Sequence, residues 1–326
     1  MAYIEIVRFL RGSGNSEILQ WHGILRPVVP LFAYPLSFLM SYGNSIAFVN
    51  LGFIVLGTVM TYFLGSRLFD REVGCIAAVS FACAIPVLAY GVAVLTDGAG
   101  YAMLVTVIYV ALFRLPEKRD LRMALLLGLL FGAAVLTKET NFIGLVFLWF
   151  RYLINRKGFT VANVIVVTVV CLLVSLSWSH LVNHSYLGYY GEGLRYQTQT
   201  PGYKGPLLNV KGFSLSAEYA YALLLPFAFL GFFIVDRDAF RKLMEILIST
   251  GALVVLWPTP PESRLTFLTF PAVIPLAAFA ISHASSILGE RPAFGKLDRR
   301  YWLVLILLAI ILFDNFYTRK LYFRLV

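Results

Sequence analysis

Apolar residues in this chain come in long blocks. They show neither the two-residue alternation of a half-buried strand nor the single stripe of a surface helix. A bilayer core of about 30 Å takes about 20 apolar residues as helix. Ten blocks approach that length: 45–66, 73–91, 97–113, 121–137, 140–155, 160–182, 216–235, 240–257, 265–288 and 301–318. The fourth and fifth are short and meet at the turn Thr137-Lys138-Glu139. Before them, Pro27 to Tyr42 is apolar but interrupted by Pro27, Pro30 and Pro35. Its length and prolines predict an interfacial or re-entrant helix, not a span. The predicted fold is all-α: a polytopic integral membrane protein of about ten transmembrane helices. Residues 1–44 form an external N-terminal segment, 45–318 the transmembrane helical domain with an external loop at 183–215, and 319–326 a C-terminal tail.

Composition supports this reading. Of the 326 residues, 60% are apolar and only 13% charged, and the mean hydropathy is +0.80. A soluble domain carries about 25% charged residues. Too much of any globule is surface for a soluble fold of this length to hide so much apolar area. Nucleic-acid-binding domains, secreted disulfide scaffolds and disordered chains are excluded. The formal charge of +10 is then a matter of topology. The loops 67–71, 114–122, 151–157, 237–242 and 291–300 are rich in Lys and Arg, whereas the short loops between them carry only Lys138 and Arg264. The positive-inside rule puts the first set in the cytoplasm and the N-terminus outside. The tail, with Arg319, Lys320 and Arg324, fits that orientation poorly. Cys75, Cys83 and Cys171 fall in apolar runs without ligand spacing and read as small core residues.

Few polar residues interrupt the apolar blocks. Asp97 opens the third span, either as a helix-terminal carboxylate favoured by the dipole or as an acid facing an external cavity. Lys138 and Glu139 have so little loop that both must lie near the membrane, as a simple pair or with Lys138 holding a lipid phosphate. Arg264 precedes the ninth span; it suits bidentate phosphate contact, or else pairs with Glu262 at the surface. His180 and His184 share a helix face but have no third ligand, so no metal is expected. Tyr186, Tyr189, Tyr190, Tyr196 and Tyr203 crowd the external loop, as a sugar-stacking set or an interfacial belt. No nucleotide-binding motif is present, and no cofactor is expected.

Six fragments stand in a telling order: YIEIVRFLRG, RPVVPLFAYPLSFL, YFLGSRLFDREVGCIAAV, LTDGAGYAML, GLLFGAAVLTKET and ESRLTFLTFPAVIPLAA. Together, from Tyr3 to about Ala280, they resemble the GT-C glycosyltransferase superfamily, on the branch of dolichyl-phosphate-mannose protein mannosyltransferases and bacterial lipid A aminoarabinose transferases. The Trp-Trp-Asp signature of oligosaccharyltransferases is absent. The resemblance implies a membrane enzyme of the prokaryotic plasma membrane. It would move a sugar from a polyprenyl-phosphate donor to a lipid, protein or glycan acceptor on the external face. Arg264 resembles the family's arginine before the last apolar run, Lys138 its lysine in the "LTK" turn, and Asp97 its aspartate at this span; Arg26 and Glu262 join the phosphate-binding set. In such relatives an initial helix and an acidic motif precede the tyrosine that matches Tyr3, and here they would fall before Met1. Glu5 is the nearest remaining acid and stands as a substitute catalytic candidate. The alternative expectation is a non-catalytic lipid-binding or lipid-transporting membrane protein.

Overall fold

The protein is described by a computed structural model. It covers residues 2–13, 26–84, 87, 96–115, 120–155, 160–183, 221–256, 268–290 and 298–325. Most of those residues are helical, with no strand among them. In chain order the α-helices are α1 (Ala2–Leu10), α2 (Val28–Leu36), α3 (Tyr42–Leu68), α4 (Arg71–Cys83), α5 (Asp97–Tyr109), α6 (Leu121–Thr137), α7 (Ile143–Ile154), α8 (Val161–Asn183), α9 (Leu224–Ile234), α10 (Arg237–Leu256), α11 (Phe270–Glu290) and α12 (Arg299–Leu325). A π-helical turn, Val110–Arg114, continues α5, and a 3-10 turn, Glu139–Phe142, leads into α7.

Each of the ten expected blocks contains a helix. Among the described residues, four helical stretches are long and apolar enough to cross a membrane: Tyr42–Leu68, Asp97–Arg114, Val161–Leu181 and Phe270–Gly289. Together with the fold, they make this a multi-pass membrane protein. The N-terminal segment holds an unexpected element, α1, and α12 extends well past residue 318 into the expected tail. Of the three cysteines, only Cys171 is buried, whereas Cys75 is exposed, so the core reading holds for one of them. The tyrosine-rich loop expected on the external side and His184 lie outside the described residues, as do Arg264 and Glu262.

The basic loops also start helices. Asp70 accepts a hydrogen bond from the Val73 amide at 2.9 Å and caps α4. Asp120 does the same for α6 through the Met123 amide at 2.6 Å. Thr160 accepts from the Asn163 amide at 3.2 Å at the start of α8, and Asp236 from the Ala239 amide at 3.0 Å at the start of α10. Each such cap contributes about 1 kcal/mol.

The chain forms two compact units. The first holds residues 1–57, 89–208 and 256–260, and the second residues 58–88, 209–255 and 261–326. In the first, α6 packs along α8 at short range. A Cβ added at Gly128 would come within 2.7 Å of Val170 Cβ, and one at Gly132 within 2.7 Å of Val174 Cβ. The glycines are four apart and so are the valines, so one small-residue stripe admits one valine ridge. Within this unit α5 is enclosed: 78% of the Asp97–Arg114 window is buried, against 28% for α8. The outward residues of α8, Val161, Ile165, Val169 and Leu173, recur every fourth position and suit a lipid-facing stripe. In the second unit α11 packs on α4, α9 and α12. Gly231 of α9 lies against the Leu276 carbonyl, and Phe69 stacks on Phe279 with centroids 4.4 Å apart.

Candidate functional site

The polar residues of the first unit converge where α5 begins and α6 ends. Lys138 ends α6 in extended backbone, φ −158° and ψ 125°, so Lys138 and Glu139 project in different directions. Each finds a partner from another segment. Lys138 Nζ donates to Asp97 Oδ1 in the first turn of α5. Glu139 receives Arg26 side-on, from Nε to Oε2 at 2.6 Å and from the second terminal nitrogen to Oε1. The expected Lys138–Glu139 pair is therefore replaced by two cross-segment pairs. Arg26 also donates to the Tyr3 hydroxyl at 3.1 Å, and that hydroxyl lies 3.2 Å from Thr96 Oγ1. Four separate segments thus meet in one network: α1, the approach to α2, the start of α5 and the α6–α7 turn.

Burial distinguishes the pairs. The Lys138 and Asp97 side chains are 12% and 5% exposed, those of Arg26 and Glu139 20% and 31%. Removing one partner of a buried pair strands a charge at about 3–5 kcal/mol. Burial alone would raise the Glu139 carboxyl; the Arg26 charge and its hydrogen bonds outweigh it and hold Glu139 below the ordinary carboxylate range. Burial likewise works against the Arg26 charge, and Glu139 with Tyr3 reverses the balance and holds Arg26 more firmly protonated.

Two neutral residues set this geometry. Asn141 is 1% exposed, and its side-chain amide donates to the Gly100 and Ala134 carbonyls, both at 2.9 Å. It ties α5 to α6 beside the site. Gly100 leaves room for the Lys138 stem: an added Cβ would fall 2.9 Å from both Lys138 Cβ and Cδ. Neither was singled out from sequence; the signal was a glycine one turn after Asp97 and an asparagine one turn after Lys138.

Of the residues named from sequence, Asp97, Lys138 and Arg26 come together. Glu5 lies apart on α1, in an exposed ion pair with Arg8 at 2.6 Å. Thr96 makes no side-chain cap to α5, so Asp97 is engaged through Lys138. No cluster of three or more metal-ligating side chains occurs among the described residues.

The fold is shared with solved structures. The chain is similar to ArnT from Cupriavidus metallidurans bound to undecaprenyl phosphate, with 15% identity and a TM-score of 0.64 over 96% of this chain and 67% of that one. It is also similar to the archaeal oligosaccharyltransferase AglB from Archaeoglobus fulgidus, in complex with an inhibitory peptide and a dolichol-phosphate. There the identity is 16% and the TM-score 0.60, over 90% of this chain and 47% of that one. The fold is that of the GT-C superfamily of membrane glycosyltransferases. Residues 26–180, just under half of the chain, match the family described as dolichyl-phosphate-mannose-protein mannosyltransferase. No curated sequence matches. The chain spans about two thirds of ArnT and under half of AglB.

Proposed function

We propose that the protein transfers a sugar from a polyprenyl-phosphate-linked donor to an acceptor at the membrane face where α5 begins, in a prokaryotic plasma membrane. The observation that carries the reading is the convergence of Arg26 and Lys138, from distant parts of the chain, with two carboxylates at helix ends. Cations at that depth suit a lipid-borne phosphate and the charge that develops on it as the sugar leaves. The match to lipid-phosphate-bound relatives supports the same donor class. Asp97 is the proposed base that takes the acceptor's proton. Arg264, with Glu262 beside it, is proposed from sequence as a further phosphate ligand.

A second reading keeps the lipid site without the chemistry. It is favoured by the pairing itself, since both carboxylates of the network already face cations. One experiment separates the two: purified protein in nanodiscs is given a radiolabelled polyprenyl-phosphate sugar together with a prokaryotic membrane extract as the source of acceptor, and donor binding and release of the free lipid phosphate are both followed. Binding that falls at least tenfold in Arg26→Met and Lys138→Met supports the shared site. Turnover lost in Asp97→Asn with binding retained supports the transferase. Binding without turnover for every donor class supports the second reading. Donor affinity unchanged in both Met variants refutes the site.

A further inference from the structure

The first helix has two different faces. Tyr3, Ile6 and Val7 are buried with Val29 and Ala33 of α2 and Ile46 and Val49 of α3. Arg8 points outward, and Arg11 follows just past the helix end. Their guanidiniums flank one ring: Arg8 lies 5.4 Å and Arg11 5.7 Å from the Tyr42 centroid. Arg11 is also 4.4 Å from the Phe38 centroid and donates to the Ser37 carbonyl at 2.8 Å. Glu5 neutralises Arg8, whereas no carboxylate among the described residues pairs with Arg11.

Tyr42 is the first residue of a helix long and apolar enough to cross a membrane. Tyrosines in that position mark the depth where hydrocarbon gives way to headgroups. In α2 and the turn that leads to Tyr42 the chain exposes large apolar side chains: Phe32 is 62%, Phe38 60% and Leu39 82% exposed, and Phe32 reaches down α3 to Phe53, with ring centroids 6.3 Å apart. A soluble partner would have to cover these groups; a bilayer beside α3 covers them already. The neighbouring cations are arginines stacked on aromatic rings, which fixes each guanidinium and leaves N–H edges for a phosphate.

We propose that Arg8, Arg11 and Tyr42 form a docking face for the phosphate of an anionic phospholipid, with Phe32, Phe38 and Leu39 set into the acyl region. This face is separate from the Arg26–Lys138 network, and its test does not depend on how that network is read. A guanidinium at an anionic surface is worth about fivefold in lipid partitioning.

The test places a reporter at the face. Leu39→Trp protein is reconstituted in nanodiscs containing either phosphatidylglycerol or phosphatidylcholine brominated on the acyl chains, and the emission of wild type is subtracted. Brominated phosphatidylglycerol is expected to quench the added tryptophan at about one fifth the mole fraction needed with phosphatidylcholine, on the scale of one cation at the surface. The preference should vanish when Arg8→Gln and Arg11→Gln are added. Equal quenching by the two lipids, or a preference that survives the double substitution, overturns the proposal. If the double variant does not fold, Glu5→Gln serves: freeing Arg8 from its carboxylate should strengthen the preference, and no change refutes the role of the pair. Loss of the preference on adding millimolar glycerol phosphate would show a soluble phosphate site and overturn the commitment to a lipid.

Discussion

Gly100→Ala should damage the site without touching any of its charges. An added Cβ would lie 2.9 Å from Lys138 Cβ, 2.9 Å from its Cδ and 3.4 Å from its Cγ. Carbon atoms prefer about 3.5–4.0 Å, so two contacts are short by more than half an ångström. The Cδ atom can swing aside at about 0.5–1.5 kcal/mol of rotamer strain. Doing so weakens the Lys138–Asp97 contact, a charge-assisted bond of about 1.5–3 kcal/mol. The Cβ atom cannot swing, so the Lys138 backbone must shift and carry Glu139 with it. Against this, Ala gains about 0.5–1 kcal/mol over Gly in a helix interior. The net expectation is a loss of about 1–3 kcal/mol, with donor binding weakened about tenfold or more. Gly52→Ala in α3 is the control, since nothing lies within 4 Å of its added Cβ; it should be neutral or slightly stabilising. Thermal unfolding in detergent and donor binding read both effects. In a Lys138→Ala background the Cδ overlap is gone and the penalty should shrink. Gly100→Ala as stable as Gly52→Ala, or a penalty unchanged in the Lys138→Ala background, would refute the claim that Lys138 is what the new methyl meets.

Three further expectations test other links. Because Arg26 holds Glu139 below its ordinary value of 4.5, the stability this contributes is present above that pH and lost as pH falls through the folded value; the wild-type advantage over Glu139→Gln in unfolding midpoint should be constant near neutrality and shrink on acidification below about 4.5, and a pH-independent gap would count against the pair. Gly132→Leu should cost at least about 1–3 kcal/mol by overpacking, since even a methyl there falls 2.7 Å from Val174 Cβ and Cγ1; an unchanged unfolding midpoint would mean that α6 and α8 are not in close contact. In the second unit, Glu72→Gln removes a carboxylate that accepts from Arg299 at 2.6 Å and Ser282 at 2.7 Å, yet with both charged side chains about 40% exposed the loss should stay within about 1 kcal/mol, and a larger one would show that this node is drier than its exposure indicates.

The helical blocks were legible because a membrane span leaves its mark in hydropathy alone. The first helix was not. Tyr3, Ile6, Val7 and Leu10 have helical spacing, but nine residues are too few to hold a helix in isolation, and α1 exists because α2 and α3 bury that face. The site was half legible. Asp97 and Lys138 stood out as charges at the ends of apolar blocks. Their pairing did not, because adjacency in sequence suggested Lys138 with Glu139, and only the extended backbone at Lys138 sends the two apart. Arg26 was visible as one end of a family-like fragment; its partnership with Glu139 spans 113 positions and no local pattern records it. Asn141 and Gly100 act through a carbonyl and through missing volume, and neither leaves a trace in composition.

Two cations facing two carboxylates leave the network without net charge, so under the proposed function a donor phosphodiester must take a cation away from its carboxylate or bring another cation into play. The two pairs differ in what that exchange demands. Glu139 is 31% exposed, and once displaced it can turn to water. Arg26 presents the same planar fork to a phosphate that it presents to a carboxylate, so two hydrogen bonds are exchanged for two. Asp97, at 5% exposed, has little water to turn to: when Lys138 moves away, this buried carboxylate loses charge compensation and is favoured to take up a proton. A carboxylate driven toward protonation when its lysine turns to a phosphate is suited to accepting an acceptor's proton. Under the proposed function the labour therefore divides, with Arg26 docking the donor and Lys138–Asp97 handling the proton. Arg26→Lys should then raise KM for the donor with kcat little changed, because a point charge replaces a fork. Asp97→Asn should lower kcat by about 10²–10⁴-fold, the usual contribution of a general base, with KM little changed. The reverse assignment, with kcat falling in Arg26→Lys and only KM moving in Asp97→Asn, would show that the more exposed pair does the chemistry.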